Sequence, residues 1–116
     1  MNRTTELKER AEEILEAARQ LFGERGVHGV SVRDIAERAG VKKAAVFYYF
    51  DGKDDLLERI LARYYAAHRE ALAEAFAASG DLRVRLHGTV DAYLDFVRDH
   101  ASDARLVQGL IASNPE

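Results

Sequence analysis

The chain has 116 residues, of which 47% are hydrophobic and 32% charged. That is enough apolar content for one core and too much for disorder. One proline and eight glycines exclude collagen-like and low-complexity architectures, and the lack of cysteine excludes a disulfide framework, a thiolate metal site and a cysteine nucleophile. A net charge of −3, with pI near 5.8, argues mildly against nucleic acid as a partner. No apolar run approaches the ~20 residues of a membrane span. The N-terminal stretch MNRTTELKERAEE has no apolar centre of a secretory signal. A cytoplasmic protein without a membrane partner is therefore expected.

From Leu7 to Arg25 the apolar residues Leu7, Ala11, Ile14, Leu15, Ala18, Leu21 and Phe22 recur at three- and four-residue steps, one stripe of an amphipathic helix. Its other face carries Glu9, Glu12, Glu13, Glu16 and Arg19. Carboxylates at such spacing suggest a metal or acid–base pair. Lys8 and Arg10 interleave with them and no histidine joins, so a solvated face fits better. Gly26 suits the C-cap.

Ser31-Val32-Arg33-Asp34 announces a short second helix. Ser31 caps the backbone, Asp34 reaches back, and Val30 and Ile35 stand as a hydrophobic staple. Ile35, Ala36 and Ala39 form its inner face and Gly40 ends it. Val41 leads straight into Lys42–Phe50. Two short helices joined by a glycine-containing turn read as helix-turn-helix.

In the third helix Val46 and Phe50, four apart, face the core, while Lys43, Ala44, Phe47 and Tyr48 lie toward another side with Tyr49 near the edge. The run Phe47-Tyr48-Tyr49-Phe50 is ordinarily a core stripe. Four consecutive aromatics cannot share one core, so at least one or two point outward. Small Ala44 and Ala45 permit close approach, and two lysines at a helix start add charge where backbone N–H groups favour anions. The combination suits a helix entering the DNA major groove by its N-terminal end. Lys53 is placed to hold a phosphate.

Asp51 or Gly52 caps a long fourth helix with the stripe Leu56, Leu57, Ile60, Leu61, Tyr64, Tyr65, His68, Leu72 and Phe76, ended by Ser79-Gly80-Asp81. A fifth helix carries Leu82, Leu86, Val90, Tyr93, Leu94 and Val97 on one face, with Phe96 at its edge. A last helix, roughly Asp103 to Ala112, precedes a stop at Pro115. No strand alternation occurs, and the expected fold is all-α, without internal repeats.

Charge is uneven along this series. Residues 1–53 hold ten Lys/Arg and nine Asp/Glu, whereas residues 54–116 hold seven and eleven. Arg25, Arg33, Arg38, Lys42, Lys43 and Lys53 against Asp34, Glu37 and Asp51 make 25–53 a basic block of net +3.

The stretch GVHGVSVRDIAERAGVKKAAVFYYFDGKDDL, Gly26 to Leu56, resembles the DNA-binding region of tetracycline-repressor (TetR) family transcription regulators, with similarity over about residues 7–60. The resemblance implies a three-helix DNA-binding unit, a long linking helix, and an α-helical domain that dimerises and often binds a small effector. It divides the chain into a helix-turn-helix DNA-binding domain, 1–52, and a partial helical regulatory and dimerisation domain, 53–116. By position, Ser31 and Lys53 correspond to phosphate contacts and Arg33 to a base- or phosphate-reaching residue. Lys42, Lys43 and Ala44 correspond to the base-reading helix start; Ala45, Phe47, Tyr48 and Tyr49 match positions touching backbone or bases. Lys42 stands where Ser or Thr is usual, Ala44 where glycine is frequent, Ala45 where Thr or Ser is frequent, and Phe47 where tyrosine is frequent. Charge thereby replaces a side-chain cap, and a hydroxyl-to-phosphate bond is lost.

The function expected from the resemblance is sequence-specific transcription regulation, as a repressor under a small-molecule effector. Its partners would be a pseudo-palindromic double-stranded DNA operator, a second copy in the full-length protein, and a small hydrophobic effector near Tyr64, Tyr65, His68, Tyr93 and Phe96. Family members commonly run to about 200 residues, so the helices that usually dimerise would be missing from 116. The rival reading is a small helical interaction module using the Tyr64/Tyr65/His68 face. Catalysis finds no support. His28, His68, His87 and His100 are scattered, neither H-x-x-x-H nor H-E-x-x-H occurs, and Gly23-x-x-Gly26-x-x-Gly29 lacks a Walker lysine and a preceding strand. No cofactor and no metal are expected.

Overall fold

A computed structural model describes residues 3–113, which contain six helices and no strand. The first, α1 (Arg3–Arg25), starts four residues before the expected Leu7 and buries Ile14, Leu15, Ala17, Ala18, Leu21 and Phe22. It stops where Gly26 turns left-handed (φ 75°) and its N–H returns to the Phe22 carbonyl at 2.9 Å. The following loop drives Val27 and Val30 into the core.

Helices α2 (Val32–Ala39) and α3 (Lys43–Tyr49) form the helix-turn-helix. The capping box of α2 closes in both directions: the Asp34 N–H donates to Ser31 Oγ at 3.1 Å, and the Ser31 N–H to Asp34 Oδ2 at 2.9 Å. Val30 and Ile35, the staple pair, are both buried. At the other end Gly40 takes φ 73° and ψ 31°, and the Val41 N–H reaches back to the Ala36 carbonyl at 3.0 Å, so the chain reverses within one short turn.

Helix α4 (Lys53–Ala77) then runs out of this unit, antiparallel to α5 (Leu82–Asp99), and α6 (Ala101–Ser113) folds back onto α1. One continuous cluster gathers Ile14, Phe22, Ile35, Val46, Phe50, Leu56, Ile60 and, from α6, Leu106. The core beneath the helix-turn-helix thus extends past residue 53 into both α4 and α6. Arg63 of α4 pairs with Glu12 of α1, and Arg19 of α1 with Asp103 of α6 at 3.4 Å.

The N-cap of α4 is Gly52, one of the two residues expected there, and Asp55 accepts the Asp51 N–H at 2.9 Å. Other boundaries differ from expectation. Helix α6 begins two residues before Asp103, and the expected proline stop lies outside the described residues. The largest correction concerns α5. The residue placed at the edge, Phe96, is the one it buries, whereas Leu82, Leu86, Val90, Tyr93 and Leu94 of the anticipated inner face are exposed. The α4 stripe likewise buries only Leu56 and Ile60, leaving Tyr65 and Phe76 open. A radius of gyration of 17.2 Å, against about 13 Å for a compact 100-residue domain, reflects this extended α4–α5 hairpin.

Candidate nucleic-acid interface

Helix α3 is held from below and open above. Val46 (0% exposed) and Phe50 (5%) lock it into the core, as the four-residue spacing required. Phe47 (48%) and Tyr48 (69%) project outward, and Tyr49, half-buried, meets Tyr48 edge-on at a centroid distance of 4.9 Å. Two of the four consecutive aromatics therefore leave the core. Lys42, Lys43 and Ala44 are exposed and Ala45 is half-buried, so the small residues and both lysines share the open side. Lys42 is the N-cap, and its side chain makes no capping hydrogen bond.

The basic block is sorted by its partners. Arg38 binds Glu24 through both guanidinium nitrogens, at 2.9 and 3.2 Å, and also reaches Gln20. Its charge ties α2 to α1, and it holds the Glu24 carboxyl below the usual range. Arg33, with 82% of its side chain exposed, meets Glu37 at 3.4 Å, a pair too solvated to restrain it. Arg25 lies 4.0 Å from Asp34. Lys53 does not stand free: Nζ donates to the Val27 carbonyl at 2.9 Å and the Val30 carbonyl at 3.0 Å, pinning the loop before α2 to the start of α4. Two of its three N–H bonds are taken, leaving one. Among the described residues only Lys42 and Lys43 of this block have neither an ion-pair nor a hydrogen-bond partner.

Sequence reasoning overlooked α1. Arg10 lines two shallow clefts beside α3, one with Val41, Lys42, Ala44 and Ala45 and the other with Arg3, Tyr48 and Tyr49. Neither Arg3 nor Arg10 has an ion-pair partner among the described residues. The cationic surface thus runs from the first turns of α1 to the start of α3, with Glu6 as the one acid among the residues lining these two clefts. Its only sequence signal was that Arg3, Leu7 and Arg10 lie within two helical turns.

The five residues grouped as an effector region do come together, as a stack of rings. His68 lies face to face with Phe96 (4.6 Å between centroids, 6° between planes) and stacks on Tyr93 at 5.4 Å, while Tyr64 contacts Tyr65, His68 and Phe96. His100, not in the expected set, covers the other face of Phe96 at 4.0 Å; it lies one helical turn beyond. Burial and the nearby Asp103 carboxylate raise the Tyr64 phenol above its ordinary value. His68 Nε2 is buried without a hydrogen-bond partner among the described residues. The cavity of about 300 Å³ alongside is lined by Tyr64 and His100, with Leu15, Ile60, Arg63 and Asp103, and by none of the other four.

A capped helix-turn-helix whose second helix exposes lysines and aromatics, joined to a long helical hairpin, defines a DNA-binding unit of bacterial regulators. Residues 14–60 match the family described as "Bacterial regulatory proteins, tetR family". The similarity to that family rests on this N-terminal segment, from the second half of α1 to the start of α4. The HTH-type transcriptional activator FasR of Mycolicibacterium smegmatis is 32% identical over 85% of this chain and 45% of its own length. The HTH-type transcriptional repressor AcnR of Corynebacterium diphtheriae is 41% identical over 69% of this chain and 40% of its own. The ketosteroid transcriptional regulator KstR2 of Mycobacterium tuberculosis superposes with a TM-score of 0.79 at 26% identity, over 91% of this chain and 56% of that one. The chain spans about half the length of these relatives.

Proposed function

We propose that the chain is the N-terminal part of a sequence-specific transcription regulator that represses by occupying a double-stranded DNA operator. The observation that carries this reading is α3: apolar anchors at Val46 and Phe50, and unpaired Lys42 and Lys43 beside exposed Phe47 and Tyr48. Lys43, Ala44 and Ala45 approach base edges, Lys42, Tyr48 and Tyr49 the flanking backbone, and Phe47 contributes apolar contact. Ser31 is exposed at the N-cap of α2, and Lys53 keeps one N–H, so both are offered to a phosphate. Arg33 reaches the same strand, and Arg10 and Arg3 extend the strip along α1.

Two copies would present two α3 helices to successive major grooves, about 34 Å apart, on a pseudo-palindromic site. Residues 1–52 serve DNA, and 53–116 begin the regulatory part, although the start of α4 belongs to both by packing. The ring stack of Tyr64, Tyr65, His68, Tyr93 and Phe96 marks the region that takes a small hydrophobic effector, with Tyr64 as the member that lines the adjacent cavity. Repression is favoured by relatives such as AcnR; FasR is named an activator.

Selection of duplexes from a random library by this chain tests the reading. Enrichment of a common half-site whose base preference relaxes in Lys43→Ala is expected. Failure to enrich any sequence, or an unchanged preference in that variant, contradicts it.

A further inference from the structure

A second cleft, of about 340 Å³, lies between the end of α1, the loop that follows it, and α6. We propose that it binds a small organic anion: an apolar body carrying one carboxylate or phosphate head.

The floor is apolar, with Phe22 (1% exposed), Val27 (9%) and Leu106 (6%), and the size falls within the range of small-ligand sites. The polar side chains around it are all basic in type: Arg25, His28 and Arg105, with no Asp or Glu among the lining residues. That sets it apart from the 300 Å³ cavity near Tyr64, where Arg19 and Arg63 face Glu12, Glu16 and Asp103 and are paired with them. Here compensation is slight. Arg105 and His28 have no ion-pair partner among the described residues, and Arg25 has only the distant Asp34 carboxylate at 4.0 Å. Two carbonyls of the loop, those of Val27 and Val30, are committed to Lys53 and offer no competing acceptors. A ligand that places its apolar body on Phe22 and Leu106 and its charge between the two guanidinium groups satisfies both halves of the cleft.

Space is made by glycine. A Cβ added at Gly109 meets nothing within 4 Å, so a larger side chain there enters the cleft without strain. Such a substitution also replaces a helix-weakening residue within α6, so the variant folds at least as well.

The test is a ¹⁵N–¹H titration of this chain with octanoate and with mono-octyl phosphate, below their micelle-forming concentrations, using octan-1-ol and acetate as controls. Saturable shifts are expected at residues 22–29 and 105–110. Whichever anion binds more tightly identifies the head group. Octan-1-ol and acetate should each bind about tenfold more weakly or worse, since one lacks the charge-assisted bonds and the other the apolar body. Arg105→Glu should weaken binding by about tenfold or more, Gly109→Leu should abolish it, and Arg83→Glu, on exposed α5, should leave it unchanged. The proposal is overturned if the shifts fall instead on the exposed stripe at 82–94. Equal binding of octan-1-ol and octanoate, or undiminished binding by both cleft variants, overturns it as well. The outcome is independent of DNA binding, so its failure leaves that reading untouched.

Discussion

Gly40 carries the turn on which α3 depends. Its φ of 73° is the left-handed region, which costs a residue with a Cβ roughly 1–2 kcal/mol, while the surrounding space is open. Gly40→Ala should therefore lower unfolding stability by about that amount through backbone strain alone, measured by urea denaturation. Asp34 is the second such residue. The Ser31 backbone N–H first, and then the Ser31 hydroxyl, hold its carboxyl below the ordinary value. A depressed carboxyl stabilises the fold fully above its unfolded value, and that contribution disappears as pH falls through the folded one. NMR titration of Ser31→Ala should show the Asp34 carboxyl moving part of the way back up, because one of its two Ser31 contacts remains. Both residues could be recognised locally, as S-x-x-D and as a glycine after an apolar run. Lys53 could not: its carbonyl partners lie 26 and 23 residues away, so only the fold reveals that it ties a loop. Lys53→Ala should cost about 1–3 kcal/mol and speed amide exchange at 27–31, a loss of loop order that a purely phosphate-binding lysine would not produce.

At the scale of elements, local pattern was most informative where caps and spacing act together. The order of six helices, the short turn before α3 and the division of its aromatics into Val46/Phe50-side and outward residues all followed from periodicity and sterics. The α5 face did not. Its stripe Leu82, Leu86, Val90, Tyr93 and Leu94 has the regular spacing, yet α5 docks through Phe96 because His68 and His100 sandwich that ring. Periodicity shows that a helix has an apolar face; which face is covered depends on the partner helix. The role of α6 was equally hidden. Leu106 (6% exposed) completes the core beneath α1, so Leu106→Ala should destabilise the DNA-binding unit by ~2–5 kcal/mol even though α6 lies some fifty residues beyond α3. Thermal unfolding followed at α2 and α3 resonances checks this; loss of order confined to α6 would contradict it.

For the whole molecule, net charge misleads where its arrangement does not. A chain of −3 exposes a cationic strip because most of its acids are elsewhere or already paired: Glu24 with Arg38, Glu12 with Arg63, Glu16 with Arg19. Few unpaired cations imply weak non-specific binding and a modest salt dependence. The most direct measurement is the affinity of this chain for a selected duplex across a series of salt concentrations, compared with Lys42→Ala/Lys43→Ala and with Arg83→Ala/Arg98→Ala on the distant α5. The account predicts that the α3 pair weakens binding strongly and flattens the log–log slope by about one to two, with the unfolding transition unchanged, while the α5 pair behaves as wild type. An unaltered slope in the α3 pair, or an equal loss in the α5 pair, would contradict the placement of DNA on α3.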